Sequence, residues 1–124
     1  MANPFVHIEL NSNDVAKARP FYAGLFGWEL NDMDMGPAGT YTMIGVGDDG
    51  TGGGMMQHPV PGAPSVWVPY VLVDDLAAST EKARSLGGTV VQANVPVAEM
   101  GTFSIVQDPT GAVFGLWETK SQGS

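Results

Sequence analysis

Apolar and polar residues alternate along 5–11, with Val6, Ile8 and Leu10 on one side of the chain and His7, Glu9 and Asn11 on the other. A period of two marks a strand with one face toward a core and the other accessible. The alternation returns in 66–73, where Trp67, Pro69, Val71 and Val73 share one face and Val68, Tyr70 and Leu72 the other. Stretches 28–33, 40–46, 53–57, 89–93, 102–107 and 112–118 also predict strands, bounded by Gly, Pro and Asp clusters. Two stretches break the pattern. Residues 14–26 open on Asn13-Asp14 and close at Gly27, and residues 75–86 open on Asp74-Asp75 and close at Gly87-Gly88. Each pairs an N-cap with a glycine C-cap and predicts a helix. Pro20, inside the first, removes a backbone donor and predicts a kink or a loosened turn.

The order strand, helix, three strands therefore occurs twice, and residue identities follow it. Asp14, Ala16, Leu25, Gly27 and Gly50 recur 61 positions later as Asp75, Ala77, Leu86, Gly88 and Gly111. The run Gly54-Met55-Met56-Gln57 is matched by Gly115-Leu116-Trp117-Glu118, and Gly39–Ile44 by Gly101–Val106 at an offset of 62. The one-residue slips fall in predicted loops, where insertions cost little. The chain reads as a tandem duplication of a βαβββ unit: one module over about 5–57, a Pro-rich linker over 58–65, a second module over about 66–118, and a frayed tail over 119–124.

Composition narrows the function classes. The 124 residues suit one domain, 1–124, and 44% hydrophobic against 15% charged is a globular balance. With no cysteine there are no disulfides, thiolate metal sites or thiol nucleophiles, and with no signal-like leader or long apolar run the expected setting is cytoplasmic. Five Lys and Arg against thirteen Asp and Glu, a net charge of −8, oppose binding to nucleic acid or to an anionic membrane. Gly45-Val46-Gly47-Asp48-Asp49-Gly50 has the G-x-G-x-x-G spacing, but no helix follows and aspartates stand where a pyrophosphate would lie; it predicts a hairpin turn.

Two βαβββ modules of this length resemble the vicinal oxygen chelate superfamily, which includes glyoxalase I, bleomycin-resistance proteins and extradiol dioxygenases. The resemblance rests on His7-Ile8-Glu9-Leu10 running to Asp14, Phe21-Tyr22 followed by Leu25-Phe26-Gly27-Trp28, Val73-Asp74-Asp75-Leu76, and Asp108-Pro109-Thr110-Gly111. It implies an α+β fold in which the modules form a cupped eight-stranded mixed sheet with helices outside. It also implies a homodimer and a small-molecule ligand in the cup. The family's metal ligands come from the first and last strand of each module, which here are His7, Gly54, Val68 and Gly115. Only His7 bears a donor, whereas a divalent site needs three or four, so neither metal nor other cofactor is expected.

Alternation places His7, Glu9 and Asn11 on the face opposite the helices, together with Met56, Val68, Tyr70, Leu72 and Trp117. His7 and Glu9 are the candidate acid–base pair, since imidazole and a partly buried carboxylate both titrate toward neutrality. Asn11, Met56, Val68, Tyr70, Leu72 and Trp117 are candidate ligand contacts, polar and aromatic groups on an apolar lining. Gly54 and Gly115 are expected to leave volume for the ligand where metal enzymes of the family hold carboxylates. Two functions follow: a binding protein of the bleomycin-resistance kind, or an enzyme. The enzyme would be a metal-dependent lyase, isomerase or dioxygenase using His7, or a metal-free one using His7 and Glu9.

Overall fold

In the computed structural model, which describes residues 2–97 and 99–120, the period-two stretches are strands and the capped stretches are helices. The order is β1 (Phe5–Ser12), α1 (Val15–Phe26), β2 (Glu29–Asp34), a 3-10 turn (Gly36–Ala38), β3 (Thr40–Gly45), β4 (Gly53–Gln57), β5 (Val66–Leu72), α2 (Leu76–Ser85), β6 (Thr89–Val97), β7 (Gly101–Gln107) and β8 (Val113–Thr119). Eight strands of mixed pairing and two α-helices among the described residues make the α+β, twice-βαβββ architecture that the sequence repeat predicts.

The chain divides into two compact units, one spanning Val6–Val68 and the other joining Pro69 onward to the residues before Val6. In the first, strands pair in the order β2-β3-β4-β1, with β1 and β4 parallel and the rest antiparallel. In the second the order is β5-β8-β7-β6, with β5 and β8 parallel. The connection β1–α1–β2 lets the last strand of each unit lie beside its first, so their residues meet in register: Glu9 opposite Gly54 in one unit, Tyr70 opposite Gly115 in the other.

Both helices form where their caps dictate. Asp14 accepts the Lys17 amide at 3.1 Å, and Gly27 closes α1 at φ 70°, a left-handed conformation that favours glycine. The α-helix runs unbroken through Pro20. Arg19 ties it to the sheet, donating to Asp32 at 2.7 Å and to Thr42 at 2.9 Å, while the Thr42 hydroxyl donates to the same carboxylate. These bonds hold Asp32 below the ordinary carboxyl value, the Thr42 hydroxyl contributing most. Asp75 caps α2 through the Ala78 amide, and the Glu118 carboxylate accepts the Leu76 amide at 2.7 Å.

Each unit has its own core on the helix side of its strands. Leu10, Ile44 and Met55 pack with Val15, Ala18, Tyr22, Trp28 and Leu30 in the first, and Val73, Leu76, Val106 and Leu116 with Ala83, Val90 and Phe114 in the second. Burying each such side chain stabilises the fold by about 1.5–3 kcal/mol. Of the apolar face of β1, only Leu10 reaches this core. Ile8, expected beside it, is 37% exposed, because α1 covers only the end of β1 from which it departs. Strand β6 extends to Val97, four residues beyond its predicted end, through two register shifts. Thr119 belongs to β8, and Lys120 donates its amide to the Met100 carbonyl, so the predicted tail is anchored to that point; residues 121–124 lie outside the described residues.

Candidate functional site

The face of β1 turned away from the first unit's core carries His7, Glu9 and Asn11, as alternation requires. Glu9 and Asn11 are buried and His7 is half-buried. The residue that organises them comes from β3. Tyr41 places its hydroxyl between the other two, 2.7 Å from His7 Nε2 and donating to Glu9 Oε1 at 2.9 Å. The rings of His7 and Tyr41 are stacked at 6.1 Å and 23°. A tyrosine has one proton to give. With that proton donated to the carboxylate, Nε2 of His7 is the donor to the hydroxyl oxygen, which fixes the tautomer and leaves the imidazole lone pair on Nδ1. Burial lowers the pKa of His7 and keeps the ring neutral, in agreement. Protonating Glu9 would reverse both bonds, so the three groups form a chain along which a proton can pass in either direction.

Tyr41 also explains Gly54. A Cβ built on Gly54 overlaps the Tyr41 hydroxyl and ring. The second unit repeats the arrangement: a Cβ on Gly115 overlaps the ring of Tyr70, which meets Phe103 edge-on at 6.1 Å and 81°. The volume above these glycines, expected to be open to a ligand, is therefore filled by tyrosine. Sequence reasoning missed Tyr41 and Phe103. The signal was present, since the alternation of β3 sets Tyr41 and Met43 opposite the core residue Ile44, and Phe103 is the repeat partner of Tyr41.

The other candidates take the faces that alternation gave them. Met56 is in register with Asn11 across the β1–β4 pair, and Trp117 with Leu72 across β5–β8. Val68 and Tyr70 are buried, two residues apart along β5, and Leu72 and Trp117 are half-buried. Repeat partners differ in character. His7, Glu9, Asn11 and Tyr41 in the first unit correspond to Val68, Tyr70, Leu72 and Phe103, so one copy presents a hydrogen-bonded polar array and the other a largely apolar one. His58 belongs to the linker, where its Nδ1 accepts the Val60 amide.

Two shallow open clefts, of about 350 and 460 Å³, flank α1 and are lined by residues including Asp14 and Phe21 or Arg19 and Asp32. Neither touches His7, Glu9 or Tyr41. The Asp14 carboxylate there is engaged in the helix cap and Arg19 is paired with Asp32, so the hydrogen-bonded array of β1 and β3 is the better candidate.

The residues at the four metal positions of the resembled family do not fit a divalent ion. Gly54, Val68 and Gly115 offer no donor, Nε2 of His7 is engaged by Tyr41, and tyrosine rings lie where carboxylates would project. Among the described residues no three His, Cys, Asp or Glu side chains gather as a metal site.

Paired βαβββ units, each with its last strand beside its first and a functional face opposite the helix, define the vicinal-oxygen-chelate class of protein. Residues 5–116 match the profile of the Glyoxalase/Bleomycin resistance protein/Dioxygenase superfamily, and the chain belongs to it. It is 32% identical over 114 residues to a glyoxylase-like protein, CFP32, of Mycobacterium tuberculosis, covering 90% of this chain and 44% of that one. It is also 32% identical over 127 residues to the anthracycline biosynthesis protein DnrV of Streptomyces peucetius, covering 88% and 44%. The chain thus spans less than half the length of these relatives. In fold it is similar to a methylmalonyl-CoA epimerase from Mycobacterium tuberculosis, with a TM-score of 0.70 at 16% identity over 95% of this chain and 89% of that one. A protein of Bacillus halodurans, BH1468, superimposes with a TM-score of 0.74 at 15% identity over 100% and 99%.

Proposed function

We propose that this protein binds a small organic molecule, planar or partly polar, against the strand face of His7, Glu9, Asn11 and Tyr41, without a divalent metal or other cofactor. The observation that carries the reading is the Tyr41 hydroxyl held between His7 and Glu9 over Gly54. It supports recognition by aligned donors and acceptors on an aromatic surface instead of by a metal. Met56 on the same face, and Val68, Tyr70, Leu72 and Trp117 on β5 and β8, are proposed as apolar and aromatic ligand contacts. The likeness to an anthracycline biosynthesis protein favours polycyclic aromatic ketones as the first ligands to test. The protein works in the cytoplasm as a homodimer, with no nucleic-acid or membrane partner; no described helix is long and apolar enough to cross a membrane.

A second reading is favoured by the hydrogen-bond chain itself. His7 and Glu9, joined through Tyr41, would move a proton to or from the bound molecule, making the protein a metal-free enzyme. The metal-dependent lyase, isomerase or dioxygenase is disfavoured by the engaged His7 and the two occupied glycine positions. Titration calorimetry with a panel of anthracyclines and anthraquinones, on the wild type and on His7→Ala, Glu9→Gln and Tyr41→Phe, tests the binding. Saturable binding weakened about tenfold or more by each substitution supports it. Binding that all three leave unchanged, or none by any member, overturns it. Incubating a bound ketone in deuterated water separates the readings: label gained at an exchangeable carbon identifies the enzyme.

A further inference from the structure

Asn11 is 8% exposed, and among the described residues its side-chain amide makes no hydrogen bond. No fully buried side-chain nitrogen or oxygen among them lacks a partner, so this amide is not sealed in the protein; its polar atoms keep an opening on the strand face shared with Glu9. A carboxamide so enclosed is ordinarily hydrogen-bonded, and one that is not is matched to something the chain itself does not supply.

The surroundings define what that is. Strands β1–β4 carry no Lys or Arg, and burial keeps His7 neutral, so the face has no cation to pair with a carboxylate or a phosphate. Three methionines extend it. Met56 is in register with Asn11, Met43 with Gly54 and Met33 with Tyr41. All three are half-buried, whereas Met55, turned to the core, is fully buried. From Met56 on β4 to Met33 on β2 is two strand spacings, about 10 Å, the length of three fused rings. Thioethers are polarisable and make favourable contacts with aromatic rings.

We propose that Asn11 selects the ligand, and that the ligand is an uncharged, planar polycyclic lactam whose N–H and C=O pair edge to edge with the Asn11 carboxamide while its rings lie over Met56, Tyr41 and Met33. A carboxamide sets an acceptor and donors side by side in one plane. It therefore pairs at two points only with an edge that does the same, as asparagine does with adenine. A hydroxyl beside a carbonyl closes on that carbonyl and withdraws its donor, whereas a lactam N–H cannot reach its own oxygen. The proposal rests on the binding reading above and names the edge that the ligand presents.

Titration calorimetry with the tricyclic lactam phenanthridinone, and with its lactone counterpart in which a ring oxygen replaces the N–H, tests it on the wild type, Asn11→Leu and Met33→Ala. Thermal melts confirm that each variant folds, and Asn11→Ala replaces Asn11→Leu if that one does not. The wild type is expected to bind the lactam about tenfold or more tighter than the lactone. That ratio falls to about one in Asn11→Leu. In Met33→Ala both compounds bind about threefold or more weaker and the ratio is kept. A wild type without preference for the lactam, a preference that survives in Asn11→Leu, or indifference of both compounds to Met33→Ala overturns the assignment; where anthraquinones still bind, the binding reading stands. A wild type that binds neither these compounds nor any anthracycline or anthraquinone overturns both.

Discussion

Tyr41 stands over Gly54 so closely that only one of the two can carry a side chain. Substituting Gly54 by Ala drives a methyl group into the Tyr41 ring, and overpacking of this kind costs about 1–3 kcal/mol. Urea unfolding is expected to show that loss in Gly54→Ala, and much less of it when Tyr41→Ala is present as well. A loss from Gly54→Ala that is the same with and without Tyr41→Ala would mean that the two residues are not coupled.

Tyr41→Phe keeps the ring and removes the hydroxyl. His7 Nε2 and Glu9 Oε1 both lose a partner at that point, and withdrawing one hydroxyl from two part-buried groups costs about 1–3 kcal/mol. In nitrogen-detected NMR of the wild type, His7 is expected as a neutral ring with its proton on Nε2. A proton on Nδ1 at neutral pH would reverse the assigned direction of the chain.

The same histidine makes stability depend on pH. Burial holds His7 below its ordinary value of 6.5, so between that value and the lowered one the unfolded chain binds the extra proton and the folded chain does not. Stability from this group is therefore complete above about 6.5, falls as pH falls through that window, and falls no further below the folded value. The wild type is expected to lose stability on going from about pH 7.5 to 5. His7→Gln is expected to be flatter over the same range, as followed by urea midpoints. A parallel slope in the variant would place the titrating group elsewhere.

Metal titration tests the protein against the metal-dependent members of the superfamily. Nickel, zinc, manganese and iron salts are expected to shift the melting temperature of the wild type no more than they shift that of His7→Ala, because only one of the four family positions carries a ligand. A stoichiometric metal copurifying with the wild type and absent from His7→Ala would overturn the metal-free reading.

The elements governed by local chemistry were legible in the sequence. Asp14 and Asp75 cap the helices as their positions predicted, and alternation put Leu10 in the core and Glu9 on the opposite face. What it could not supply was pairing across long separations. The hydroxyl joining Glu9 to His7 belongs to a residue 32 positions from Glu9, and no spacing rule reaches that far. That Glu118 caps α2 follows only once β8 lies beside β5. The length of β6 was illegible for a similar reason. Asn94 adopts φ 52° and gives its amide to the buried Ser104 hydroxyl, which also bonds Thr80, so a strand that local preference would end at residue 93 continues.

That irregularity in β6 has a consequence for behaviour at high concentration. β2 and β6 stand at the outer ends of their strand orders, where open amides and carbonyls invite a foreign strand. In β6 the row of bonding groups is interrupted by two register shifts, a left-handed asparagine and Pro96, while β2 carries Glu29, Asp32 and Asp34 in six residues. Neither margin offers the flat, neutral template on which a further strand adds and from which fibrils grow.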